Sequence, residues 1–222
     1  MGIAIAIIAG VAFILAVAFS IVHHIEKKRT AALIAVASEL GLEFSATEDD
    51  KLLERMQIFS LFNRGHSRKM KNVMKAETET ANLTIFDYLY TTGGGNSSRT
   101  HAQTVVAMES EALNIPNIKL RPEGFFDRVG SALGFQDIDF ESHAEFSKSF
   151  VLQGQDEGAV RAFFDTELLD FFTEKQGSYV ESVPGVFIFF RGGGRRKPQQ
   201  IREIMDEGFA AYTALTRRMT RD

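Results

Sequence analysis

Two glycine-rich segments carry the residue types that could hold a phosphate or another anion. The first, TTGGGNSSRT at 91–100, lies between two β-forming runs. Its consecutive glycines allow backbone N–H groups to converge on an anion. A Walker loop, however, needs G-x-x-x-x-G-K-[ST] between a strand and a helix. Here Asn96 occupies the place where the lysine would matter, and a strand is predicted to follow. The favoured interpretation is therefore a hairpin loop, with anion binding as the alternative.

The second segment, GGGRRKP at 192–198, follows the apolar run VFIFF and precedes a predicted helix. Helix N-termini attract anions, and Arg195, Arg196 and Lys197 would add positive charge there. The spacing matches neither a Walker loop nor the dinucleotide pattern G-x-G-x-x-G. We expect a solvated loop, or else a contact for anionic lipid head groups, a phosphorylated ligand or an acidic partner.

Other cations follow the first apolar segment or lie in the segment 63–71, which is predicted to be a basic loop. They include Lys27, Lys28, Arg29, Arg64, Arg68 and Lys69. Beside a bilayer, such a set would fit acidic head groups. Whether the segments form one surface depends on the fold, which the sequence alone leaves open.

The sequence lacks the residues and motifs of several common catalytic and metal sites. The absence of cysteine excludes disulfides, thiolate zinc sites, iron–sulfur clusters and a cysteine nucleophile. Neither H-E-x-x-H nor G-x-S-x-G occurs. Glu141, His143 and Glu145 would share one face of a strand, as metal ligands can, but the flanking Phe140 and Phe146 favour a packed segment. We predict no catalytic residue, no cofactor and no metal site.

The first apolar segment, Ile3 to Val22, is long enough to cross a bilayer. Its 20 residues would form a helix of about 30 Å. It lacks the polar face of a water-soluble helix. A cleaved signal peptide is the alternative, but that needs a positive n-region, and no Lys or Arg precedes the run. The predicted span runs through Ile3, Ala9, Gly10, Phe13 and Val22.

The flanks of this segment predict its orientation. Lys27, Lys28 and Arg29 follow the span, whereas no basic side chain precedes it. The positive-inside rule then places the N-terminus outside and the bulk of the chain in the cytoplasm, at the bacterial inner membrane. His23 and His24 fall at the interface, where polar anchoring is favoured over ligation of a haem-like cofactor.

The remainder predicts one α+β domain, so that residues 1–25 form the anchor and 26–222 the cytoplasmic domain. Predicted helices cover 30–40, 47–59, 125–133, 156–172 and 198–219. Predicted strands cover 42–44, 81–90, 104–108, 115–120 (an edge strand), 148–152, 179–182 and 186–190. The strand links look like hairpins, which favours a mainly antiparallel sheet packed by helices. The 20 phenylalanines fit a core, and the net charge of -4 gives no reason to expect nucleic acid.

A resemblance to a known family rests on motifs in two stretches. The first, within 61–105, carries Leu61, Phe62, Gly65, Arg68, Asn72, Val73, Phe86, Asp87, Tyr88, Tyr90 and Gln103 to Val105. The second is FSKSFVLQGQDEGAVRAFFDTELLDFF at 146–172. Both resemble a widespread family of bacterial single-pass membrane-anchored proteins with no established activity. Relatives often place a lysine in the glycine turn, so Asn96 weakens the phosphate interpretation.

These observations predict a non-enzymatic accessory or scaffold subunit that docks on and stabilises a larger bacterial inner-membrane complex. Its partners would be the lipid bilayer and other membrane-protein subunits, because the small residues of the span permit close helix contacts. The alternative is a membrane-surface module that binds anionic lipid head groups or a phosphorylated ligand through the basic loops. An enzyme of unrecognised type is a third, weaker possibility.

Overall fold

The described residues form one eight-stranded antiparallel sheet with helices on both faces. A computed structural model describes residues 2–124 and 137–217. The strand order is β1-β2-β3-β4-β8-β7-β5-β6. The strands are β1 Glu43–Ser45, β2 His66–Glu77, β3 Asn82–Thr92, β4 Arg99–Glu109, β5 Ile118–Pro122, β6 Phe150–Gly154, β7 Ser178–Val183 and β8 Val186–Arg191. The helices are α1 Gly2–Leu40, α2 Asp50–Met56, α3 Ala144–Ser149, α4 Glu157–Phe163, α5 Thr166–Glu174 and α6 Ile201–Thr216.

The predicted fold class is confirmed as α+β with an antiparallel sheet. Short turns join β2 to β3, β3 to β4 and β7 to β8, as hairpin links require. In the β7–β8 turn Gly185 has φ 88°, a conformation that favours glycine. The predicted hairpin loop at 91–100 joins β3 to β4 and contains a short 3-10 turn, Gly95–Ser97.

Each face of the sheet carries its own core, because successive strand residues point to opposite sides. The larger core includes Ile85, Val106 and Phe187, and it is covered by the second half of α1 and by α3 to α6. The smaller core includes Phe86, Val105 and Ile188, and it is covered by α2 and the 3-10 turn Ser60–Asn63. Many of the phenylalanines therefore lie in the core, as predicted.

Helix α6 approaches β4 unusually closely at Gly208. A Cβ atom at that position would lie 2.7 Å from Cγ1 of Val106, nearer than such atoms can come. The glycine thus allows Ile204, Ala211 and Leu215 to be buried against the sheet. This contact fixes α6, whose N-terminus follows the loop 192–197 that is described below.

The predicted basic loop at 63–71 is wrong over most of its length, since β2 begins at His66. The strand escaped prediction because its alternation of side chains is interrupted. Register shifts occur between His66 and Lys69 and again between Lys71 and Met74. Asn72 has φ 52°, in the left-handed region. Such irregularities break the period-two pattern by which a strand is recognised.

Two other element predictions need correction. The predicted edge strand at 115–120 is β5, which is hydrogen-bonded on both sides, to β6 and to β7. The single helix predicted over 156–172 is split into α4 and α5. Asp165 begins the second helix by accepting a hydrogen bond from the backbone N–H of Leu168 at 2.9 Å.

Some predictions fall on parts of the chain that the structure does not describe. The predicted helix 125–133 and the last predicted residues of the final helix, around Met219, lie outside the described residues. Ile3 belongs to α1 by its backbone, but its side chain lies outside the described part. The division at residues 25 and 26 stays a prediction, and α1 passes through it without a break.

Candidate functional site

Helix α1 changes its surroundings near Glu26. From Ile7 to Ile25 the described side chains are exposed, including Phe13 and Val22. Beyond Glu26, Leu33 and Ala37 are completely buried in the larger core. By length and composition α1 could cross a membrane. The same helix is therefore exposed and apolar in one half and built into the domain in the other.

Asp87 of β3 is the centre of the contact between α1 and the sheet. Its side chain is only 2 % exposed. The guanidinium of Arg29 donates two hydrogen bonds to it, from Nε and Nη2, each 2.7 Å long. Asn72 of β2 and Thr104 of β4 donate further bonds at 3.0 and 3.1 Å. A buried carboxylate needs such partners, and here three elements supply them.

Glu26, almost one turn before Arg29, forms a second charged group. It accepts bonds from both terminal nitrogens of Arg195 at 3.0 and 2.7 Å, and one from Nζ of Lys71. The hydrogen bond from Arg195 is the largest influence that lowers the pKa of Glu26 to about 2, with Lys71 adding to it and partial burial opposing it. Arg195 also lies 3.8 Å from Asp87, which links the two groups.

Backbone contacts complete this arrangement. Nη1 of Arg29 donates to the carbonyl of Arg196 at 2.8 Å, and the N–H of Arg196 donates to Oγ1 of Thr104 at 2.9 Å. Thr30 donates to the side-chain carbonyl of Asn72 at 2.9 Å. We call this set the helix–sheet junction. Its members are Glu26, Arg29, Thr30, Lys71, Asn72, Asp87, Thr104, Arg195 and Arg196.

The junction joins three segments that are far apart in sequence: α1, the strands β2 to β4, and the loop after β8. Three cations, Arg29, Lys71 and Arg195, share the two carboxylates of Glu26 and Asp87. The arrangement resembles a structural ion-pair network more than a catalytic centre. Both carboxylates are paired with cations inside the junction, and the junction holds the helix that emerges from the domain.

The predicted contact residues consequently separate into groups. Arg29 and Arg195 are held by carboxylates of the junction, whereas Lys27, Lys28 and Lys197 are exposed. The other predicted residues have local contacts. Lys69 pairs with Glu48 at 2.8 Å, Arg68 donates to the carbonyls of Phe62 and Gly65, Arg64 is half-buried, and Arg196 donates to the carbonyl of Gly192. Ligand binding by any of them stays a prediction.

No role is predicted from the sequence for the two carboxylates of the junction, Glu26 and Asp87. Asp87 is part of the family resemblance, but that resemblance does not indicate its ion pair with Arg29. A usable signal exists, because a carboxylate inside the apolar run TIFDYLY needs a buried partner. That partner, Arg29, lies 58 residues away in the sequence, and no local pattern indicates it.

The structure also describes the residues considered above for metal binding and the glycine-rich loop considered for anion binding. Glu141 and His143 lie in a 3-10 turn and Glu145 in α3, so they do not share a strand face. Among the described residues no group of three or more His, Asp or Glu side chains is placed to hold a metal ion. Gly93, in the β3–β4 loop, has its carbonyl 3.1 Å from Nε2 of His66.

Comparison with known proteins supplies one structural relative. No family model and no curated protein matches the chain. The crystal structure of the mycobacterial trehalose monomycolate transport factor A, TtfA, is similar in fold, with a TM-score of 0.58 and 13% sequence identity. The similarity covers 85% of this chain and 92% of that one. At this identity it shows a shared architecture.

Proposed function

We propose that this protein is a non-enzymatic, membrane-anchored accessory subunit that docks on and stabilises a larger protein complex of the bacterial inner membrane. The observation that carries the proposal is the continuity of α1 across the helix–sheet junction. One helix of 39 residues, about 58 Å long, supplies both the exposed apolar segment and part of the domain's core.

A continuous helix fixes the domain relative to the membrane more tightly than a flexible linker would. Removing one partner of a buried ion pair typically costs about 3–5 kcal/mol, so the contact between Arg29 and Asp87 opposes separation of α1 from the sheet. The domain would therefore stand at one height and one rotation above the bilayer. A docking subunit needs such a fixed presentation, whereas a diffusing enzyme does not.

The span offers a surface for contact within the membrane. Ala9 and Gly10 are exposed along α1, and small residues allow helices to approach closely in lipid. Lys27 and Lys28 immediately after the span support a cytoplasmic location for the domain. The protein with the similar fold supports the same class of role, because it is described as a transport factor.

The sequence resemblance to bacterial single-pass membrane-anchored proteins agrees with this proposal. We propose in addition that this chain belongs to that family. The residues of the junction also support a structural role. Their carboxylates accept bonds from intramolecular cations, and no described metal group or cysteine supplies further chemistry.

Migration of the full chain on native gels after mild detergent extraction tests the proposal. We expect the wild-type chain to migrate in a complex well above the size of one chain in its micelle. Inserting Gly-Ser-Gly-Ser between Ile25 and Glu26 should leave the anchor and the domain intact but release the complex, because the domain loses its fixed position.

A matched control places the same insertion between Glu79 and Thr80, in the exposed turn between β2 and β3. That variant should keep the complex. Purely monomeric migration of the wild-type chain would refute the proposed accessory role. An unchanged complex with the insertion at residue 25 would refute the need for a fixed junction.

A further inference from the structure

We infer that the end of the sheet from which α1 emerges is a binding surface for the head groups of anionic phospholipids. The inference rests on the proposed membrane anchoring and names a partner for the exposed cations. We call this surface the cationic end. Its exposed members are Lys27, Lys28, Arg99 and Lys197.

The path of α1 across the sheet identifies this end. The buried residues Leu33 and Ala37 pack in the same core as Ile85, whereas Arg29, nearer the span, contacts Asp87. Moving along α1 toward the membrane therefore corresponds to moving along β3 toward Thr92. The β3–β4 loop and the exit of α1 lie at the same end of the sheet.

Two other segments lie at that end. His66, the first residue of β2, pairs with Thr91 near the end of β3. The loop 192–197 follows β8, in which Phe190 pairs with Val105 of β4, so the chain leaves β8 in the direction of the first residues of β4. The backbone of Gly194 comes close to Ala102, since a Cβ there would be 3.1 Å from its carbonyl oxygen.

The charge of these segments is one-sided. The stretches 63–68, 93–99 and 192–197 contain six Arg or Lys residues and no Asp or Glu. The adjacent carboxylates, Glu26 and Asp87, are engaged by cations of the junction. These two carboxylates are therefore held by other cations, and the four exposed cations lie beside the point where the apolar helix leaves the domain.

This geometry favours a lipid surface over a small ligand. Lys27 and Lys28 lie within two turns of the end of the predicted span, so they stand at the depth of the head groups. Cations spread over α1 and two loops match a surface that presents many phosphates. Each Lys or Arg near an anionic membrane strengthens association by about fivefold, so four should act together by at least about a hundredfold.

The test reconstitutes the full chain in nanodiscs that contain either phosphatidylcholine alone or phosphatidylcholine mixed with phosphatidylglycerol. The retained lipid is counted by native mass spectrometry after mild release. The wild-type chain should retain phosphatidylglycerol in preference to phosphatidylcholine, and high salt should reduce that preference, because exposed charges are screened.

The test variant replaces the four exposed cations by glutamine: Lys27→Gln, Lys28→Gln, Arg99→Gln and Lys197→Gln. The control variant changes the net charge equally, at residues elsewhere on the domain: Lys51→Gln, Arg55→Gln, Lys75→Gln and Arg161→Gln. The test variant should lose the preference for phosphatidylglycerol, and the control variant should keep it.

A second measurement uses the absence of cysteine, which allows a single fluorescent label at Ser98→Cys in the β3–β4 loop. Phosphatidylglycerol should bring this label closer to a quencher placed on lipid head groups. Equal lipid retention by the two quadruple variants, or by the wild-type chain for both lipids, would overturn the lipid inference alone. Failure of the wild-type chain to insert into nanodiscs would overturn the membrane anchoring as well.

Discussion

The two halves of α1 contradict the expectation that the more apolar segment is the one buried by folding. The half up to Ile25 contains no Asp, Glu, Lys or Arg after Gly2, yet its described side chains are exposed. The half after Ile25 carries Glu26 and Arg29, yet it lies against the sheet. Its apolarity makes the first half a candidate membrane span, whereas ion pairs and buried apolar side chains hold the second half against the sheet.

The comparison is tested most severely by Asp87→Asn, which keeps the shape of the side chain but removes its charge. Arg29, only 11 % exposed, would lose its carboxylate. We expect the free energy of unfolding to fall by about 3–5 kcal/mol. Urea denaturation of the detergent-solubilised full chain measures this free energy.

The control is Glu109→Gln, which removes the partner of Arg55 at an exposed site and should lower the free energy of unfolding by less than about 1 kcal/mol. Equal effects of the two substitutions would contradict the proposed importance of the junction.

A pair of leucines in the same helix sharpens the comparison. Leu33 is completely buried, whereas Leu15 is 64 % exposed. Leu33→Ala should lower the free energy of unfolding of the domain by about 3 kcal/mol, since it leaves a cavity beneath α1. Leu15→Ala should change it by less than about 0.5 kcal/mol. The same denaturation experiment distinguishes them, and a large effect of Leu15→Ala would show that the first half also packs on the domain.

The smallest expected effect concerns acid. The pKa of Glu26 is lowered to about 2 in the folded chain from an ordinary value of 4.5. A lowered pKa contributes stability above the unfolded value, and that stability is lost as the pH falls from 4.5 through about 2. Because the side chain is partly exposed and screened, we expect on the order of 1 kcal/mol from this group. Unfolding measured across this pH range should show a weaker dependence for Glu26→Gln, and an unchanged dependence would contradict the role of this pair.

Local patterns in the sequence were sufficient for several elements. The hairpin of β3 and β4 follows from two β-forming runs separated by glycines. The end of α1 at Leu40 follows from Gly41, which has φ 70°. Both predictions depend on neighbours in the chain, and both are confirmed.

Other predictions were wrong where the local pattern is interrupted or where pairing with distant segments determines the structure. The strand β2 was predicted as a loop because Asn72 and the register shifts disturb its alternation. The edge position of β5 was wrong, since pairing with β6 and β7 brings together segments that are distant in sequence. The roles of Arg29 and Arg195 could not be separated from those of Lys28 and Lys197 by composition, because all four are basic residues in basic segments.

The sequence by itself determined that the chain has a long apolar helix, an antiparallel α+β domain and no cysteine chemistry. These properties depend on composition and on periodicities of a few residues. Only the tertiary structure decided which cations are held inside and which remain exposed. Glu26 meets Arg195 across 169 positions of the chain, and Asp87 meets Arg29 across 58. The Coulomb energy of a charge depends on its distance from other charges in space, and folding sets those distances.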